Sequence, residues 1–116
     1  MTLKVISPKA LYEKLQNNES IFLLDVRAEE KYNDYHITDT NIKNQNIPKN
    51  IIFDLEEKGV EGLQSLPKNS DILITCTTGN SARKCAEILS KKDYQVTLLD
   101  GGITAWKQYI DTKHKD

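Results

Sequence analysis

Apolar and polar positions alternate in blocks along this chain, short apolar runs being followed by longer stretches with helical spacing. The run 21–26 (IFLLDV) is apolar except for Asp25, the pattern of a strand buried on both faces of a parallel sheet. Residues 71–76 (DILITC) and 95–100 (QVTLLD) repeat it, and KVIS (4–7) predicts a shorter strand. Between the runs lie helix signals. Ser7 can cap a helix whose first position is Pro8, a residue tolerated there. Ala10, Leu11, Tyr12 and Leu15 would form its apolar face before QNNES (16–20) ends it. AEEKYNDY (28–35) reads as a short polar helix, and NIIFDLEEK (50–58) as another, ended by Gly59. In SARKCAEILSKK (81–92), Ala82, Cys85, Ala86 and Leu89 fall on one helical stripe. ITAWKQYI (103–110) closes the pattern, with Trp106 and Tyr109 read as core. Residues 38–50 predict a polar loop with a small strand at Asn46–Ile47. Strands alternating with helices predict an α/β fold, a mostly parallel central sheet with helices on both faces.

The 116 residues suit one domain, expected over residues 1–110, with DTKHKD (111–116) as a frayed tail. A net charge of −1 gives no electrostatic case for nucleic acid or an anionic membrane as partner. No apolar stretch reaches spanning length, and MTLKVISPK lacks the features of a signal peptide. A cytoplasmic location is therefore expected, with Cys76 and Cys85 as free thiols. The two cysteines, nine positions apart, form neither a zinc pattern nor a C-x-x-C pair. His36 and His114 are distant in sequence, so no metal site is expected.

Ligands of open parallel sheets bind beyond the carboxyl ends of the strands. Asp25, Cys76 and Asp100 lie at such ends and could meet at one rim. After Cys76, the segment TTGNSA (77–82) must turn the chain and open a helix. Gly79 permits a positive φ, and Asn80 or Ser81 can cap the helix. Small residues leave the backbone amides free to surround a guest, forming an anion-binding nest at a helix N-terminus. That field would stabilise a thiolate at Cys76, and Arg83 and Lys84 would add to it if they fold toward the site. Read alone, the stretch leaves two readings open, since a cysteine ending an apolar strand also serves as a small buried hydrophobe. Cys85, on the apolar stripe, reads as core filler. The phosphatase signature C-x5-R is not met: its arginine position is Ala82, and Arg83 comes one residue later. One residue at a helix start rotates a side chain by about 100°, which would misalign the guanidinium.

Four segments in order now resemble a single-domain rhodanese, a sulfurtransferase fold. They are LLDVR (23–27), the HI…NIP segment (36–48), CTTGNSA (76–82) and LLDGGITAW (98–106), in the right order across nearly the whole of residues 5–109. The resemblance implies that Cys76 is the sulfur-carrying nucleophile. It implies that Thr77, Thr78, Gly79, Asn80 and Ser81, with Ala82, form the loop whose amides cradle the transferred sulfur. The six-residue loop matches sulfurtransferases, whereas relatives acting on phosphate or arsenate have a longer one. The implied reaction is a double displacement from thiosulfate or a persulfide donor to a thiol or cyanide, without metal or organic cofactor. Partners would be a small sulfur compound or a protein persulfide donor or acceptor. A non-catalytic interaction module on the same fold is the alternative; an arsenate reductase or phosphatase is disfavoured by the loop length. Asp25 and Arg27 read as structural, tying neighbouring loops, and His36 as organising its loop. Asp100-Gly101-Gly102 reads as turn chemistry. Two departures stand out. Thr77 and Thr78 occupy positions where many members carry Arg or Lys, so thiosulfate should bind more weakly. Tyr35 replaces the usual Gly before the His-Ile pair, and the segment to Pro48 is longer.

Overall fold

The two-residue alternation of the buried runs sorts them onto two faces of one sheet. In a computed structural model, which describes residues 3–55 and 66–114, the strands are β1 (Lys4–Ile6), β2 (Ile21–Asp25), β3 (Ile42–Asn46), β4 (Ile72–Thr75) and β5 (Val96–Leu99). They pair in the order β1-β5-β4-β2-β3, every pair parallel. The helices are α1 (Pro8–Gln16), α2 (Glu29–Asp34), α3 (Lys49–Phe53), α4 (Asn80–Lys91) and α5 (Gly102–His114). Leu23, Leu73 and Leu99 point to one face, where Leu11 and Leu15 of α1 and Ile103 and Trp106 of α5 cover them. Leu24, Ile72, Ile74 and Leu98 point to the other, beneath Ile52 of α3 and Ala82, Cys85, Ala86 and Leu89 of α4. Each fully buried leucine or isoleucine contributes about 1.5–3 kcal/mol of transfer free energy. The α/β class read from the sequence is the observed one.

Ser7 caps α1 as the sequence predicts, its hydroxyl accepting the amide of Ala10 at 3.1 Å with Pro8 as the first helical residue. Two expectations are corrected, for β3 and for the helix after it. The small strand at Asn46–Ile47 is a five-residue strand, β3, paired with β2 from Ile21↔Ile42 to Asp25↔Asn46. Its sequence, IKNQN, lacks the β-branched alternation that marks a strand, because it lies at a sheet edge where polar residues are tolerated. Residues 115–116 of the expected frayed tail lie outside the described residues, and helix α5 runs on to His114. No Gly or Pro interrupts it, the Thr112 hydroxyl donates to the Gln108 carbonyl, and the Lys113 ammonium lies 5.5 Å from the Tyr12 ring. The helix expected over 50–58 is shorter, Lys49–Phe53, and its expected end at Gly59 lies outside the described residues. No helix among the described residues is long and apolar enough to cross a membrane.

Candidate active site

Strand β4 delivers Cys76 to the carboxyl rim of the sheet, one residue past its end, with only 5 % of the residue exposed. The next turn folds back over the sulfur. Gly79, at φ +104°, takes the left-handed conformation that a side chain would resist, and this aims its amide inward. Cys76 Sγ accepts that N–H at 3.0 Å and the Ala82 N–H at 3.3 Å. Gly79 is the cap residue of α4, which leaves Ala82 at the third helical position, where a capping side chain normally accepts. Neither Asn80 nor Ser81 caps the helix, as the sequence suggested; the cysteine sulfur occupies that acceptor position instead. The sulfur thus sits where unpaired helix amides favour negative charge.

A second layer holds the loop from behind. At the start of α5, Ile103 N–H donates to the Cys76 carbonyl at 2.8 Å and Thr104 N–H to the Thr77 carbonyl at 3.0 Å. Gly102 makes this approach possible: at φ +62°, a Cβ built on it would overlap the Cys76 carbonyl oxygen and reach 2.8 Å from that of Thr77. Sequence reasoning took Asp100-Gly101-Gly102 as a turn and missed this role. A second glycine beyond what a turn requires, immediately before a helix, was the available signal.

Asp25, Cys76 and Asp100 do share one rim, but they do not converge. Asp25 belongs to the alternate set of β2 positions and faces the side opposite Cys76. There it pairs with Arg27: Nη2 reaches Oδ2 at 2.7 Å and Nε reaches Oδ1 at 3.0 Å, with side-chain exposures of 8 % and 1 %. Arg27 also donates to the Tyr35 carbonyl, fixing the segment before His36. His36 Nδ1 donates to the Tyr32 carbonyl at 2.8 Å, and its ring stacks on Tyr32. Asp100 is exposed, and its backbone amide continues the sheet to the Ile6 carbonyl. Arg27→Ala should therefore destabilise the fold by about 3–5 kcal/mol, by stranding a buried carboxylate. Urea denaturation checks this, and Asp25→Leu combined with Arg27→Met should recover much of the loss.

The cations are placed unevenly. Arg83 lines a groove with Leu3, Glu87 and Tyr94 on one flank of α4, and Lys84 is exposed on its outward face. Lys49, at the first turn of α3, instead places its Nζ 3.5 Å from the Ser81 hydroxyl. The sequence offered no sign of that contact, which spans 32 positions. Cys85 is fully buried below the loop. Burial, and then the neighbouring Cys76 charge, push its thiol up to about 12 against the pull of Lys49, so it remains protonated at neutral pH. A groove of about 390 Å³ opens beside the loop, lined by Arg27, Tyr35, Thr77, Ile103 and Lys107 among others. A larger open groove, about 1170 Å³, lies around the amino-terminal ends of the strands and includes neither cysteine.

With this geometry in view, comparison with known proteins is specific. The rhodanese-like domain family matches residues 7–109. YtwF of Bacillus subtilis, provisionally named a sulfurtransferase, is 26 % identical over all of this chain and all of its own length. The adenylyltransferase and sulfurtransferase uba4 of Ogataea parapolymorpha is 29 % identical over 85 % of this chain, which spans only 23 % of that protein. A crystal structure of a rhodanese-like domain protein from Staphylococcus aureus superposes with a TM-score of 0.72 at 29 % identity, covering 90 % of this chain and 91 % of the other.

Proposed function

The chain belongs to the rhodanese-like domain family, and on that premise we propose that it is a sulfurtransferase that carries sulfane sulfur on Cys76. The observation that supports this most directly is the Cys76 sulfur held by the amides of Gly79 and Ala82 at the start of a helix. The loop from Cys76 to Ser81, with Ala82 closing it, is the binding cradle.

The reaction runs in two displacements. The Cys76 thiolate attacks the outer sulfur of thiosulfate, a new S–S bond forms, and the old S–S bond breaks with its electron pair leaving on sulfite. Cys76 then holds a persulfide whose terminal sulfur is anionic. With a persulfide donor the leaving group is the donor's thiolate. Attack by cyanide on that terminal sulfur releases thiocyanate and restores the Cys76 thiolate; a thiol acceptor leaves as a persulfide. Charge stays on sulfur throughout, so oriented backbone amides can stabilise it without a general base or metal. His36, bound to its own loop, has no proton to move in this scheme. A cytoplasmic location, where both thiols stay reduced, would suit this reading.

Intact-mass measurement tests the proposal. Incubation with thiosulfate or a small persulfide should add one sulfur atom, and cyanide should remove it with stoichiometric thiocyanate. Failure to load from any sulfane donor would leave an interaction module as the better reading. Efficient release of phosphate from an aryl phosphate would overturn the reading of the loop.

A further inference from the structure

The loop has threonines where a cation would meet an anionic donor, yet a cation does reach it from another part of the chain. Lys49 Nζ lies 3.5 Å from the hydroxyl of Ser81, within the cradle segment. Its backbone is fixed as well: the Lys49 amide donates to the Val26 carbonyl at 2.9 Å, which pins the start of α3 to the end of β2. Most other cations near this rim are engaged elsewhere or turned outward, and Lys31 lines the groove beside Thr77. Arg27 is bound to Asp25 and the Tyr35 carbonyl. The Lys107 ammonium sits 4.2 Å above the Tyr35 ring. Arg83 lies on the flank of α4 away from Ser81, and Lys84 faces outward. The charge of Lys49 is felt beneath the loop, where it opposes the upward push on the Cys85 thiol.

We propose that Lys49 is the substrate-binding cation of this site, attracting the anionic end of the sulfur donor while Cys76 attacks the outer sulfur. This rests on the sulfurtransferase reading above. The ammonium acts on the group that leaves, so it selects donors by charge: a dianion gains more from it than a monoanion of similar shape. Its flexible stem lets it swing from Ser81 to the donor without moving the cradle.

Steady-state kinetics with two donors test this. Thiosulfate is a dianion that leaves as sulfite; methanethiosulfonate is a monoanion that leaves as methanesulfinate, and both deposit the same sulfur on Cys76. Lys49→Gln should raise KM for thiosulfate about fivefold, raise it about twofold for methanethiosulfonate, and leave kcat nearly unchanged, the size expected of one partly screened charge pair. Lys49→Arg should restore the thiosulfate KM, and added salt should raise that KM in the wild type but much less in Lys49→Gln. An unchanged thiosulfate KM in Lys49→Gln, or equal increases for both donors, would overturn the assignment of Lys49. Absence of any Cys76 adduct in the wild type would instead overturn the sulfurtransferase reading itself.

Discussion

Replacing Cys76 with serine is expected to abolish sulfur loading and to lower turnover by more than about 10³-fold, the scale seen when a covalent nucleophile is removed. The loss should be chemical. A serine hydroxyl can still accept the Gly79 and Ala82 amides that the sulfur accepts now, so the cap of α4 survives and the unfolding midpoint should change little. A serine oxygen, however, is protonated at neutral pH, and among the described residues no base accepts from position 76. Cys85→Ser provides the contrast. That residue is core filler with a thiol pushed up to about 12, and it has no part in the displacement. Its variant should lose some stability through a buried hydroxyl but still gain one sulfur atom. Mass spectrometry on the two variants, with urea denaturation alongside, separates the outcomes. A sulfur adduct surviving in Cys76→Ser would remove Cys76 from the mechanism.

Gly102→Ala should produce the second-largest effect, although the residue contributes no side chain to the site. Its added methyl would run into the carbonyl oxygens of Cys76 and Thr77 from a backbone at φ +62°. Both obstacles are backbone, so the loop or the start of α5 must move. Turnover should fall about 10²-fold, the loss associated with misplacing a reacting group by roughly 1 Å, and strain should cost about 1–3 kcal/mol of stability. Gly101→Ala separates position from mere strain. A methyl there would meet the Cβ of Ala105 and not the loop, so it should cost stability while sparing more of the activity. Equal activity losses in the two variants would show that α5 supports the loop only through overall stability.

Much of this was legible in the chain because burial on both faces writes continuous apolar runs. IFLLD, ILIT and VTLL announce β2, β4 and β5, and the small-residue loop after Cys76 announces a helix N-terminus. What escaped were features created by neighbours distant in sequence. Strand β3 is polar because it lies at the sheet edge, and its asparagines cross-link loops: Asn46 donates to the carbonyls of Asp25 and Arg27 at 2.9 Å. The separation of Asp25 from Cys76 follows from counting residues along β2 and β4, but only once their register is known. The cap on α4 comes from a sulfur rather than from Asn80 or Ser81, because the cysteine turns back over its own helix. Lys49 carries no local mark, since its meaning depends on where α3 lies against α4.

The bracket formed by Ile103 and Thr104 also sets which part of the fold completes the cradle. Its hydrogen bonds to Cys76 and Thr77 come from the last strand–helix unit of the fold. A chain cut at residue 90 would carry both thiols and four of the five strands, but not the two amides that bracket the loop. Closing the cradle therefore requires β5 between β1 and β4 and α5 docked beyond it, so a loop that opens in mid-chain is finished by residues 103 and 104.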